Sequence, residues 1–275
     1  MEKFHLSENV YVKTIAIRVK DVEKMIYFYK HVLGFVLKIE ENNLSILGST
    51  EKDSRLLILE ELEADEVSSQ RPFCFSLAIP TEAEFGSLLR RITSHNYPID
   101  NSAEVDTRRS IFLKDPEGNE IEISYQKEAG DMAHFDIDEL LRQSDLLYSS
   151  LSDGVQFDRI YLPVSNQPKN HAFYHEMLGM AAEENNTEQL SMNNGHFFVQ
   201  LTKGLENAVP CNSDEGTLGL DFFVVLLNCE AEMSALKEHL EANQQEFFVD
   251  KKLTILTIYD PSRIEWWFVR DEQWI

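Results

Sequence analysis

The feature that most constrains this chain is an internal repeat: residues 14–35 recur as residues 159–180. Tyr29 returns as Tyr174, Leu33 as Leu178 and Gly34 as Gly179, and far downstream Asp115-Pro116 returns as Asp260-Pro261, each pair 145 residues apart. Landmarks held in register over so long a span mark a duplication. Whatever fold one copy adopts, the other must adopt too.

Each copy opens as a strand followed by a helix. Ile15, Ile17 and Val19 alternate with Ala16 and Arg18, the period-2 pattern of a half-buried strand. Asp21 is placed to cap a helix whose apolar residues Val22, Ile26, Tyr29 and Leu33 recur at helical spacing, and Gly34 to stop it. In the second copy Ser165 or Asn166 caps, Pro168 sits in the first turn, and Phe173, Tyr174, Met177 and Leu178 form the apolar face before Gly179. Strand candidates at residues 35–39, 43–47 and 55–60 complete a βαβββ module, and residues 61–70 read as an acidic loop. A second module runs from a strand at 73–79 through a helix carrying Phe85, Leu88, Leu89 and Ile92 to a hairpin turned by Asp115-Pro116-Glu117-Gly118.

Residues 136–147 carry helical periodicity and read as an interdomain helix followed by a linker. The second half then repeats the plan. A third module spans residues 155–202, residues 210–216 form a polar loop, and a fourth module has strands at 220–227, 247–249, 253–258 and 264–269 around a helix with Met233, Leu236 and Leu240. The expectation is an α+β chain of two tandem domains, residues 1–128 and 155–275, joined by 129–154. A chain of 275 residues accommodates two domains of ordinary size.

Composition narrows the partners. A formal net charge of −23 repels nucleic acid and anionic lipid, so neither is an expected partner, and a small molecule is. No apolar run of about 18 residues is present for a membrane span, and the start of the chain reads as no secretory signal. Cys74, Cys211 and Cys229 form no metal-binding spacing and suit a reducing cytoplasm, the expected location. Neither a Gly-x-Ser-x-Gly elbow nor a Walker loop appears. His171 and His175 lie one helical turn apart, but Glu176 falls outside the pair, so they read as helix-flank histidines, and His196 as a strand-end one. Of Trp266 and Trp267, neighbours on one strand, only one can face a given side; core packing is the reading for both and for Trp274.

These motifs resemble the vicinal oxygen chelate superfamily, the glyoxalase, bleomycin-resistance and extradiol-dioxygenase group. The carriers are Arg18-Val19-Lys20-Asp21, the Phe28-Tyr29 to Leu33-Gly34-Phe35 helix end, and the hairpin from Asp115 to Glu122. Phe173-Tyr174, Leu178-Gly179-Met180 and Asp260 to Glu265 carry it in the second half. The tandem layout is similar to catechol-2,3-dioxygenase-like proteins. Glu40-Glu41-Asn42 and Ile264-Glu265-Trp266-Trp267-Phe268 resemble the CppA family, labelled a proteinase, although no protease motif is present.

The resemblance implies that each pair of modules forms a cup-shaped sheet, with divalent-metal ligands at inward strand positions. Those positions are Thr14, Leu59, Cys74 and Glu122 in the first half and Arg159, Gln200, Asp221 and Glu265 in the second. The first set reads as metal-free. The second offers a cation where a ligand should be, since arginine is never a metal donor. The expectation is therefore no catalytic residue, no metal and no cofactor. A small molecule, of carboxylate-bearing type, is expected against Arg159, Gln200, Asp221 and Glu265, with Arg159 paired to Glu265, Asp221 or both. Fe or Zn belongs only to the alternative, a ring-cleavage dioxygenase or glyoxalase-type enzyme with an unrecognised ligand set. A CppA-like proteinase or interaction protein is a further alternative, and a homodimer is left open.

Overall fold

In the computed structural model the described residues are 4–6, 10–63, 67, 69–71, 73–127, 135–144, 146–183, 186–204 and 216–270. The first module comprises β1 (Tyr11–Val19), α1 (Val22–Tyr27), β2 (Val36–Glu41), β3 (Leu44–Gly48) and β4 (Leu57–Glu61). A short β5 (Ser69–Arg71) leads to the second: β6 (Cys74–Ile79), α2 (Glu82–Ser94), β7 (Asn101–Val105), β8 (Arg108–Lys114) and β9 (Glu120–Gln126). After α3 (Ile137–Gln143) the third module has β10 (Gln156–Val164), α4 (Gln167–Ala172), β11 (Ala181–Glu183), β12 (Asn186–Met192) and β13 (Phe197–Lys203). The fourth has β14 (Thr217–Leu226), α5 (Glu230–Ala242), β15 (Phe248–Val249), β16 (Ile255–Tyr259) and β17 (Glu265–Val269). The fold is α+β and duplicated. Among the described residues no helix is long and apolar enough to cross a membrane.

The two copies agree down to hydrogen bonds. Asp21 accepts from the Lys24 amide to cap α1, and Asn166 accepts from the Lys169 amide to cap α4. Both helices then widen into a π-helical turn, at Phe28–Leu33 and Phe173–Met177. Such a turn inserts a residue into the ladder and rotates the buried face. Met25, Phe28, Tyr29, Val32 and Leu33 are the buried residues of the first helix, while Val22 and Ile26 are only half-buried. The turns end alike, the Phe35 amide donating to the Tyr29 carbonyl at 2.9 Å and the Met180 amide to that of Tyr174 at 3.0 Å.

Gly34 and Gly179 both have positive φ, 86° and 67°. They also give way to a neighbour. A Cβ on Gly34 would lie on the Arg91 guanidinium, whose Nη1 donates to the Leu33 carbonyl at 2.9 Å. A Cβ on Gly179 would come within 2.8 Å of the Phe4–His5 backbone, where His5 Nδ1 meets the Gly179 carbonyl.

The strands form two sheets. One runs β15-β16-β17-β14-β1-β4-β3-β2, with β5 also pairing β14; the other runs β11-β12-β13-β10-β6-β9-β8-β7. Each sheet thus contains two modules, but the modules that share a sheet are first with fourth and second with third. By internal contacts the chain divides into two units, Ile17–Val67 with Cys74–Phe157, and Met1–Ala16 with Ser68–Phe73 and Asp158–Ile275. The N-terminal half of β1 and all of β5 therefore sort with the second copy.

Within each unit a buried tyrosine ties the first helix to the last hairpin. Tyr29 donates to Asp115 Oδ2 at 3.0 Å, and Tyr174 to Asp260 Oδ2 at 2.5 Å. Asp115 also accepts from the amides of Glu117 and Asn119 and from Asn119 Nδ2; Asp260 accepts from the amides of Ser262 and Ile264. Burial pushes the Tyr29 phenol well above its usual range, with the Asp115 charge adding to it, so the phenol stays a donor.

Three local expectations differ from the structure. Residues 61–70 contain the start of β5, whose Ser69 pairs with Thr217 of β14. The helix at 137 ends at Gln143 because Ser144 is extended, and Leu146 and Leu147 are left 60% and 68% exposed. β7 was not expected, its sequence Asn-Ser-Ala-Glu-Val being mostly polar; it forms by pairing with β8. Trp274, Cys211 and most of the 210–216 loop lie outside the described residues.

Tyr29→Phe and Tyr174→Phe each keep the buried ring but remove a donor from a buried carboxylate. Each is expected to lower stability by about 1–3 kcal/mol in urea unfolding. A change near zero in both would show that the ties are dispensable.

Candidate functional site

The metal-ligand positions implied by the sequence fall at four places in the two sheets. Thr14 and Leu59, on β1 and β4, are fully buried. Cys74 and Glu122, on β6 and β9, belong to the other sheet. In β6, Ser76 lies opposite Glu122, and in β8, Phe112 does; Ser110 and Arg108 follow on the same face at period 2.

Glu122 is 2% exposed, and its carboxylate is already held. Arg108 Nε donates to Glu122 Oε1 at 2.9 Å, Ser110 Oγ donates to the same oxygen at 2.6 Å, and Arg108 Nη2 donates to Ser76 Oγ at 2.8 Å. A guanidinium from the chain itself thus supplies the positive charge this buried carboxylate needs. Sequence reasoning missed Arg108. The signal was present in Arg108 and Ser110 sharing the Glu122 hairpin at period 2. Beside them, burial pushes the Cys74 thiol up to about 12, and the Glu122 charge adds to that shift.

The second set is divided. Arg159 on β10 and Gln200 on β13 share one sheet, with Tyr161 opposite Gln200 and Phe198 opposite Arg159. Asp221 on β14 and Glu265 on β17 lie in the other sheet. The expected pairing of Arg159 with Glu265 or Asp221 is therefore corrected: Arg159 forms no ion pair with either. The third module shares its sheet with the second and the fourth with the first, so the four residues do not line one cup. In register the residue opposite Glu265 is Phe222, with Asp221 one position away.

What surrounds Arg159 is aromatic. Its guanidinium carbon lies 5.1 Å from the Phe198 ring centroid and 5.9 Å from that of Tyr161, distances at which a cation is attracted to a ring face. Nη1 makes a long contact, 3.5 Å, to the Tyr161 hydroxyl, and Nε is sealed from solvent with no acceptor among the described residues. Gln189 stands opposite Gln200 and Ser191 opposite Phe198, completing an amide-and-hydroxyl rim on the same face.

Among the described residues, His171, His175 and His196 assemble no centre. His175 Nδ1 lies 2.8 Å from the Met180 carbonyl, and the His171 and His175 rings are 5.7 Å apart and tilted. Burial, and then His175, hold His171 below its ordinary range. His196 is exposed just before β13. Among the described residues no group of three or more His, Cys, Asp and Glu side chains is arranged to hold a metal ion.

Comparison with known proteins follows the duplication. Residues 11–123 match the Glyoxalase/Bleomycin resistance protein/Dioxygenase superfamily, and residues 151–268 match the CppA C-terminal family. The first half is thus similar to the glyoxalase and dioxygenase superfamily, and the second half to the CppA C-terminal family. Over 260 residues the chain is 25% identical to Catechol-2,3-dioxygenase of Bacillus subtilis (strain 168), spanning 86% of this chain and 89% of that one. The crystal structure of the cppA protein from Streptococcus pneumoniae TIGR4 shares the fold with a TM-score of 0.63 at 15% identity, covering 96% of this chain and 99% of that chain. That of glyoxalase I from Zea mays does so with a TM-score of 0.59 at 15% identity, covering 95% and 92%.

Of the positions the resemblance implied as metal ligands, five do not suit a divalent cation. Leu59 has no donor atom, Thr14 offers a neutral hydroxyl, and Cys74 is held as a thiol. Glu122 is engaged by Arg108 and Ser110, and Arg159 is itself a cation.

Two outcomes test these contacts. Arg108→Ala leaves the Glu122 charge buried and unpaired, and is expected to cost roughly 3–5 kcal/mol in urea unfolding, with Glu122→Gln added to it restoring much of the loss. Iodoacetamide at pH 8 is expected to label the exposed Cys229 in native protein and leave Cys74 unlabelled until denaturant is added, as peptide mass mapping would record.

Proposed function

We propose that this protein binds a small organic anion, a carboxylate on a flat apolar body, on the third-module face at Arg159, without a metal. The observation that carries this reading is the state of Arg159. It is a half-buried guanidinium seated on Phe198 and Tyr161, with Nε unsatisfied and no acidic side chain in ion-pair contact among the described residues. In a chain of net charge −23, a cation left without a carboxylate stands out. Its planar fork suits bidentate pairing with a carboxylate, and the two rings offer a surface for an apolar body. Gln200 and Gln189 supply amides to orient polar substituents. The relative named Catechol-2,3-dioxygenase and the fold neighbour named glyoxalase I support a small-molecule ligand in the general sense. Asp221 and Glu265 are not part of this site.

The second reading is a metal-dependent ring-cleavage enzyme, favoured by the similarity to that relative across most of both chains. The donor positions described above carry no step of that kind. Titration calorimetry with benzoate as probe separates the two readings. Saturable binding to the metal-free protein, weakened roughly ten- to a hundredfold in Arg159→Gln, is the expected result for a charge-assisted contact. Binding that does not change in Arg159→Gln overturns the proposal. So does stoichiometric iron or zinc in protein purified without chelator, if its removal abolishes binding.

A further inference from the structure

The same topology that parts Arg159 from Glu265 leaves Glu265 among aromatic rings. On β17 it stands between Tyr259 of β16 and Phe222 of β14, its partners in the two flanking strands. Two residues along the same face, Trp267 stacks on Phe222 with centroids 4.7 Å apart and planes 15° apart. Further along the same face Val224, Leu226 and Val269 form a buried apolar cluster, with Tyr11, Phe222, Ile255 and Trp267 packed against it. Trp266, one residue away, points to the opposite side, where it packs on Tyr174 and Phe223.

This face is open. Tyr259 is 46% exposed and Phe248, on the edge strand β15 opposite Thr257, is 64% exposed. Phe222, Trp267 and Glu265 are half-buried. Glu265 has no hydrogen-bond or ion-pair partner among the described residues, unlike Glu122, whose charge is met from within. A carboxylate ringed by Tyr, Trp and Phe attracts an organic cation twice, by charge and by the negative ring faces, and the apolar cluster favours the hydrocarbon part of the same ligand.

We propose that the fourth-module face is a second ligand site, taking a small organic cation, a protonated or quaternary amine on an apolar body, with Glu265 as counter-charge and Trp267, Phe222 and Tyr259 as its aromatic wall. The proposal does not depend on the anion site at Arg159, since the two lie in different sheets and share no residue.

The test is titration calorimetry of the full chain with benzyltrimethylammonium and its uncharged isostere neopentylbenzene, in wild type, Glu265→Gln, Tyr259→Ala and Arg159→Gln. Urea unfolding of each variant checks that it is folded; Tyr259 is exposed enough for its truncation to be tolerated. The expected result is saturable binding of the cation, weakened about tenfold or more in Glu265→Gln and in Tyr259→Ala and unchanged in Arg159→Gln. Equal binding of the neutral isostere, or unchanged binding in both face variants, overturns the proposal. Absence of cation binding also overturns it, including the case in which the face is covered by a second copy and Phe248→Ser dissociates that dimer. Benzoate failing while the cation binds removes only the anion site.

Discussion

The structure depends on one buried hydrogen bond made twice, from a helix tyrosine to a hairpin aspartate. Tyr29 and Tyr174 are both fully buried, and each must place its hydroxyl on an acceptor once water is excluded. Asp115 and Asp260 are acceptors already fixed by the amides of their own turns. Satisfying both ends therefore sets the helix against the hairpin and leaves little freedom between them. The helix and the hairpin come from different modules, so the tie joins modules that contribute to different sheets. This explains why the landmarks of the repeat are these residues: Tyr29 with Asp115, and Tyr174 with Asp260, are the two ends of a single interaction.

Charge placement is the second constraint. A buried carboxylate needs a cation, and three arrangements occur in one chain. Glu122 receives Arg108 and two serine hydroxyls lie beside them, so that charge is internally settled. Arg159 lies against Phe198 and Tyr161 and Glu265 stands between Phe222 and Tyr259, and among the described residues neither has an ion-pair partner. Aromatic neighbours tolerate a half-exposed charge without neutralising it. A charge neutralised from within is structural. The other two retain electrostatic potential that a ligand of opposite sign can use.

Much of the local structure was legible in the sequence, because it rests on near neighbours. Asp21 and Asn166 cap their helices through amides three residues on, and Gly34 and Gly179 take the positive φ that ends them. The hairpin at Asp115 forms through its own turn amides. Features that rest on distant partners were not legible. β5 exists by pairing with β14, far along the chain; β7 pairs with its neighbour β8, but its polar sequence carries no strand pattern. The first helix offers two apolar stripes that share Tyr29 and Leu33, and packing buried the one through Met25, Phe28 and Val32, leaving Val22 and Ile26 half-buried.

The sequence by itself determined the module: strand, capped helix, glycine stop and Asp-Pro hairpin, written twice at a fixed offset, together with the residue types along each strand. Those follow from periodicity and turn chemistry, which act over a few residues. Which module shares a sheet with which was decided only by the tertiary structure. An edge strand presents the same backbone donors and acceptors to any partner, and nothing in its side-chain pattern names the strand it will meet. That choice, first with fourth and second with third, placed Arg159 and Glu265 in different sheets. The chemistry of each side chain was readable in advance; its company was not.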